Sequence, residues 1–394
     1  DVYSAGAGGN TGNTIFGKSA FNTSTNNASD YNTFIGELSA GTGSVANASY
    51  NVGVGYKTLN AVTTGDYNVA IGNQPMLTAT ASEGNIAMGH DALGDAAVGE
   101  SYNVSIGHAA MSKVDEGTNS GSGNHSADSN VAIGIQALYG GNLSDVSDST
   151  DRALSGNIAI GGYALDATGA NPQTGTIAIG YQSLTALTSG AGNVAVGYQS
   201  ATAINIGRYN TAIGHQSLLA DTIGDTTTAI GYQALPNQVS DGNNKTSGNT
   251  GVGYGVGSEL TDGNQHTLVG YLAGRYNETG DNNTYIGYQA GYGVNNNNNS
   301  NNTAVGKDAL LAITTGTNNT TLGAAASEAL AGGSNNTCIG YDTETNAVGS
   351  TNDTVLGAGT TGQADNSVTL GNASVTKLFA SQDGGAVISA GGLG

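Results

Sequence analysis

A glycine returns along this chain at a rhythm that ordinary globular folds do not have. It stands at 17, 36, 55, 72, 89, 107, 134, 161, 180, 197, 214, 231, 253, 270, 287, 306, 323, 340, 357 and 371, most often 17 residues apart. Each glycine closes a unit of the form Asn-x-small-aliphatic-Gly, as at Asn68, Val69, Ala70, Ile71 and Gly72. A unit this short cannot bury its own apolar face, so neighbouring units must stack and share one continuous core. No 3.6-residue periodicity runs through the units, which favours stacked strands over helical repeats. The expected fold is all-β: a β-solenoid of about 20 short turns, each built from two strands.

The columns of the repeat predict more. The residue before each glycine is apolar, from Phe16, Ile35 and Val54 to Leu370. The residue three before it is β-branched, from Thr14, Thr33 and Val52 to Val368. Two residues apart on a strand, these share a face, and that face is expected to be the interior. The small residue between them (Ala70, Ala87, Ser105, Ala132, Ala159, Ala178) then points outward, where it suits close approach by another copy of the chain. Asn stands four before the glycine in 15 of the 20 units, with Thr176, Thr227, His266, Asp353 and Ser367 in the others. Stacked asparagines can hydrogen-bond along such a column as a ladder. After the glycine a second strand is expected, typified by Tyr232, Gln233, Ala234 and Leu235, its Leu or Met forming the far wall of a narrow core. Met76, Met88 and Met111 are all assigned to core columns, and Cys338 to the small column as a packed, inert thiol.

Composition narrows the class further. Glycine is 65 of 394 residues and proline only 3, with no Gly-X-Y period, so collagen is excluded. In-register Val, Ile and Leu with sparse charge argue against disorder. The net charge of −20 disfavours nucleic acid and anionic membrane as partners. One cysteine allows no internal disulfide, and no run of 18 apolar residues offers a membrane-spanning helix. The first residues, Asp1, Val2, Tyr3 and Ser4, contain neither an initiator Met nor a signal peptide, as expected of a processed or partial product.

The unit resembles the head repeat of YadA-like trimeric autotransporter adhesins, most closely at Asn366, Ser367, Val368, Thr369, Leu370 and Gly371. The variant at Thr227, Thr228, Ala229, Ile230, Gly231, Tyr232, Gln233, Ala234 and Leu235 looks more like the version in bacteriophage tail-fibre and related virion proteins. The resemblance covers roughly residues 10–372. It implies a left-handed parallel β-roll, three chains wound about one axis, and a role in attachment at a virion or extracellular surface. By this reading residues 1–372 are the repeat shaft and 373–394 a non-repeat C-terminal segment. That segment resembles the stretch preceding an intramolecular chaperone in phage fibres.

Residues that could carry chemistry are mostly absorbed by the repeat. His90, His108 and His215 take the position after the glycine, His266 takes the Asn column, and no zinc-type spacing occurs. No catalytic residue, metal or cofactor is expected. Carboxylates crowd two insertions, with Asp115, Glu116 and Asp128 in one and Asp145, Asp148 and Asp151 in the next. Calcium takes several oxygen ligands, but the calcium-binding nonapeptide of RTX rolls is absent and solvated loop charge is the simpler reading. Tyr181, Tyr198, His215, Tyr232, Tyr254, Tyr271 and Tyr288 follow the glycine on seven successive turns. They form either a structural ladder at a trimer groove or a platform for sugar rings.

Insertions at 112–129, 139–156 and 236–248, with an Asn-rich tract at 295–299, lengthen the loops, and the first two occupy adjacent turns. Solenoid insertions often project from the binding face. The expected function is thus a homotrimeric phage or viral fibre shaft that meets a host-surface glycan or protein receptor. The alternative is the head region of a bacterial trimeric autotransporter adhesin. An ice-binding solenoid is set aside because its threonine column would point inward.

Overall fold

The computed structural model describes residues 2–3, 11–21, 29–96, 99–115, 125–141, 152–169, 173–240, 247–295 and 297–378. They divide into two compact units, Asp1–His266 and Thr267–Gly394. Each unit is a stack of short parallel strands, with thirteen turns in the first and seven in the second. Among the described residues there is no helix, and none could therefore cross a membrane. Val2–Tyr3 pairs antiparallel with Thr14–Phe16 at the N-terminal edge. Every other pairing in the main stacks is parallel and in register: Ala159 lies beside Ala178, Ala178 beside Ala195, and Ala195 beside Ala212.

The strand faces are the reverse of the expected ones. The small column is the interior: Ala70, Ala87, Ala132, Ala159, Ala178, Ala195, Ala212 and Ala229 are fully buried. The flanking aliphatic columns point outward, and none of their residues is buried. Met88 is 37% exposed and Ile213 also 37%, whereas Met76 and Met111 do lie in the core. The turn takes a small residue from the strand in most units, although Ile15, Phe34, Leu268, Tyr285 and Val355 are buried at the same position. Its interior is shared with Leu59, Leu93, Leu138, Leu165, Leu184, Leu218 and Leu235 from the turn segment, all fully buried. A third wall comes from Val62, Leu187, Ile204 and Leu260 in the first unit and Ile313 and Leu330 in the second.

Volume exchange inside the second unit shows how tight this packing is. Leu268 and Tyr285 occupy the small column, and Gly274 and Gly291 stand where the turn leucine would be. A Cβ at Gly291 would lie 2.4 Å from the Tyr285 ring. Burial pushes the Tyr285 phenol far above its ordinary pKa, and its hydroxyl bonds Asn299 Oδ1. Asn297 and Asn299 are themselves buried. Asn299 donates to Asn297 Oδ1 at 3.0 Å, and Asn283 donates to the Asn299 carbonyl at 2.8 Å. The tract read as a projecting loop is thus partly core.

The segment after the glycine is not a second strand. Gln233 (φ 47°) and Leu235 (φ 49°) both have left-handed backbone, as do the equivalent residues of most turns. Their N–H groups still join turn to turn, Gln233 to the His215 carbonyl (2.9 Å) and Leu235 to the Val256 carbonyl (3.0 Å). Gln and Leu seldom adopt positive φ, so nothing in these residue types announces the conformation.

The expected asparagine ladder is present. Asn68 Oδ1 accepts the backbone N–H of Asn85 (3.0 Å) and its Nδ2–H (3.1 Å), while Asn68 Nδ2 donates to the Ser82 carbonyl (2.7 Å). The same contacts link Asn32 to Asn51 and run on through Asn103 and Asn130 to Asn157. Where Thr227 interrupts the column, Gln238 supplies the amide, donating to Thr227 Oγ1 (3.0 Å) and accepting from Asn249 Nδ2 (3.1 Å).

The repeat glycine is fixed by two constraints at once. Gly214 has φ +137°, and a Cβ there would sit 2.2 Å from the carbonyl oxygen of Gly231 on the next turn. Gly214→Ala should therefore cost on the order of 3 kcal/mol or more. Because solenoid stability is nearly a sum of neighbour terms, the first protease cut should map close to residue 214. Limited proteolysis with mass-spectrometric mapping checks this, and simultaneous loss of the whole chain would contradict it.

Candidate interaction surface

The outward side of each strand carries three columns: the residues three before, one before and one after the glycine. In the first unit successive turns present Ile177, Ile179 and Tyr181, then Val194, Val196 and Tyr198, then Thr211, Ile213 and His215. Neither aliphatic column contains a charged residue. Thirteen strands at ~4.8 Å make the two aliphatic columns a strip roughly 60 Å long and ~7 Å wide, on the order of 400 Å², and the third column beside it includes Lys18 and Glu37. Contiguous exposed apolar patches on soluble monomers rarely exceed a few hundred Å². In the second unit the column three before the glycine is threonine on six successive turns, Thr267, Thr284, Thr303, Thr320, Thr337 and Thr354, before Val368 on the last. It too faces outward, against expectation.

The aromatic column forms as expected, unit by unit. In the first, Tyr181, Tyr198, His215, Tyr232 and Tyr254 stack at centroid spacings of 5.6, 5.1, 5.2 and 5.0 Å, within 15° of parallel. In the second, Tyr271 stacks on Tyr288 at 5.1 Å and 6°. Each ring face inside the column is covered by the next ring. Sugar stacking needs a free face, so the column offers edges and hydroxyls instead, and the geometry favours the structural ladder. A glutamine ladder runs beside it: Gln199 donates to Gln182 (3.0 Å), Gln216 to Gln199 (3.1 Å) and Gln233 to Gln216 (3.1 Å).

A further aromatic column escaped the sequence reading. Five before the glycine, Tyr31, Tyr50 and Tyr67 stack at 5.2 and 5.0 Å and are largely exposed. Every residue of this column has positive φ, from Gly12 to Asn366. Its signal was legible, since Gly and Asn occupy it in 12 of the 20 units. In the second unit the column becomes an exposed asparagine ladder, Asn318 donating to Asn335 at 3.3 Å and Asn352 to Asn366 at 3.1 Å.

Of the acidic candidates, Asp115 is half-buried at the start of its insertion, and Glu116, Asp145, Asp148 and Asp151 lie outside the described residues. The ends of the first two insertions are brought together. Arg152–Ser155 pairs in parallel with His125–Ser126 on one side and Gln173–Thr174 on the other, forming a second small sheet. Among the described residues no group of three or more His, Cys, Asp or Glu could hold a metal ion. His90 and His108 are exposed and stacked at 5.1 Å. Cys338 is buried in the small column, and burial pushes its thiol up to about 11, consistent with an inert packed residue. Comparison with protein-family models, with curated proteins and with solved structures finds no match.

At the foot of the first insertion, Asp128 accepts the Ser101 N–H at 2.8 Å. Burial raises its pKa and that hydrogen bond only partly offsets the rise. A carboxyl whose folded pKa lies above its unfolded value is penalised when charged. The penalty is full above the folded pKa and relieved as pH falls to the unfolded value. Asp128→Asn should therefore raise the melting temperature at neutral pH, with the gap from wild type closing on acidification. A lower neutral-pH melting temperature would mean that the Ser101 contact outweighs desolvation.

Proposed function

We propose that the chain is the shaft of a homotrimeric attachment fibre, in which the outward aliphatic columns are buried among three copies. The observation that supports this reading is the pair of uncharged outward columns along each unit, apolar throughout in the column before the glycine. A partner that covers it must match a repeat of one strand spacing over many turns, and another copy of the chain does so by construction. The number three, the left-handed winding and the virion or extracellular setting rest on the repeat's resemblance to trimeric adhesins and phage fibres. A head region of a bacterial adhesin shares the same architecture.

Regular turns offer the same surface repeatedly, so specificity belongs where the repeat is broken. The insertions at 112–129 and 139–156 leave from neighbouring strands of one small sheet and form a single receptor-contact region in this reading. A glycan or protein receptor is the expected partner. Trimming both to the 17-residue repeat should preserve the fold, since surface loops tolerate length change cheaply, and should lower binding to the natural host surface.

Ile213→Asp combined with Ile230→Asp tests the assembly. Both residues face outward, so an isolated chain should retain its β-type circular dichroism, while light scattering should show the trimer lost. A wild-type chain that is a stable monomer would sink the proposal. In that case the six outward threonines of the second unit favour a different reading, an ice-binding plane, which thermal hysteresis would detect.

A further inference from the structure

Arg275 stands on a turn segment of the second unit, five residues after Gly270. Its guanidinium carbon lies 4.7 Å from the centroid of the Tyr276 ring and 5.6 Å from that of Tyr292. The two rings are set at 89° with centroids 5.2 Å apart. Nη1 donates to the Tyr292 hydroxyl at 2.9 Å. Nε is buried and meets no acceptor of the chain. The described ion pairs are Lys18 with Glu37, Lys113 with Asp95, and Lys307 with Asp308, so Arg275 is not neutralised by a carboxylate among the described residues. That is unusual placement in a chain with 29 acidic and 9 basic residues.

We propose that Arg275, Tyr276 and Tyr292 form a binding site for a carboxylate-bearing sugar, such as a sialic or uronic acid. With Nε buried, the outer edge of the planar guanidinium, Nη1 and Nη2, is the fork that matches a carboxylate. Two aromatic rings hold that fork in one orientation, so little rotamer freedom remains to be lost on binding. The same rings present apolar surface to the C–H groups of a pyranose, and the Tyr292 hydroxyl adds a polar contact. The chain's net charge of −20 repels polyanions at long range. A single small acidic sugar that makes the fork contact is the anion this site favours. The choice of a sugar as ligand rests on the attachment reading.

The test is titration of the full chain at low salt with N-acetylneuraminic acid, with glucuronic acid, and with galactose as the neutral control. Calorimetry and saturation-transfer NMR would read binding. At least one acidic sugar should bind, and galactose should bind roughly tenfold more weakly or worse. Arg275→Ala should abolish the signal, Arg275→Lys should weaken it by roughly tenfold, and Arg208→Ala should leave it unchanged. Should Arg275→Ala fail to fold, Arg275→Gln keeps a planar amide over the rings and is expected to lose the acidic preference. Binding of galactose as strong as that of the acidic sugars, or insensitivity to all changes at 275, overturns the site. A wild-type chain that adheres to its host surface but takes up neither acidic sugar sinks the site and leaves attachment standing. Sugar binding by a chain that does not adhere sinks attachment and leaves the site.

Discussion

In a parallel, in-register solenoid the nearest neighbours of most residues are their own equivalents on the turns above and below, ~4.8 Å away. Nearly every feature of this molecule follows from that constraint. A column can persist only if its residue type tolerates or bonds to itself. Asparagine does, with one Oδ1 taking both the backbone and side-chain N–H of the next asparagine, as between Asn68 and Asn85. Glutamine does so through its side chain alone, and tyrosine by offset stacking. Glycine does so by leaving room for the next turn's carbonyl, as Gly214 does for Gly231. Charged residues do not, because like charges repel at this distance, which accounts for a chain only 10% charged. Where carboxylates enter a column they alternate with hydroxyls: Thr11 is capped by Asp30, Asp30 by Ser49, and Ser49 by Asp66.

The same constraint decides what could be read in advance. Repeat period, asparagine ladder, turn leucines and the aromatic column are properties of a column, and columns are visible in one dimension. Which side of the strand is the interior is not. The rule that the more apolar side faces inward failed because most turns pair a small residue from the strand with a leucine from the turn, and take a larger strand residue only at a few positions such as Phe34 and Tyr285. Cβ at Gly251 would already lie 2.8 Å from the Leu235 side chain. The left-handed turn residues were missed for a different reason, since Gln233 and Leu235 are chosen for side-chain contacts that offset an unfavourable φ. Arg275 was missed because its column, five after the glycine, has no recurring residue type (Thr202, Leu219, Pro236 and Ser258 precede it and Tyr292 follows), and its significance lies in rings that only the fold brings to it.

Departures from the repeat are repaired locally. Thr176 interrupts the asparagine column, and Gln173 reaches the Leu187 carbonyl (3.0 Å) in the place of the missing amide. Buried Asp221 takes four donors, the N–H groups of Gly224 and Ser240 at 3.0 and 3.2 Å, the Ser240 hydroxyl at 3.2 Å and Gln238 Nε2 at 3.0 Å. A buried carboxylate without such partners would be strongly destabilising. Each repair involves the same turn or the next one, as expected where contacts are confined to neighbours. Such a chain accepts insertions at single turns without disturbing distant ones.

A core of alanine and leucine this thin buries little apolar area per residue, while nearly every turn still orders 17 or more residues of backbone at a conformational cost of about 1–2 kcal/mol each. Burial at roughly 25 cal/mol per Å² has to be found elsewhere as well, and the unused apolar area lies on the outward columns. Covering them with other copies would bring residues such as Ile179, Val196 and Ile230 out of water without widening the turn. Folding and assembly would then be one process, with stability tied to chain concentration as in obligate oligomers. In the proposed trimer the larger aliphatic residues of the outward columns would contribute their burial between copies.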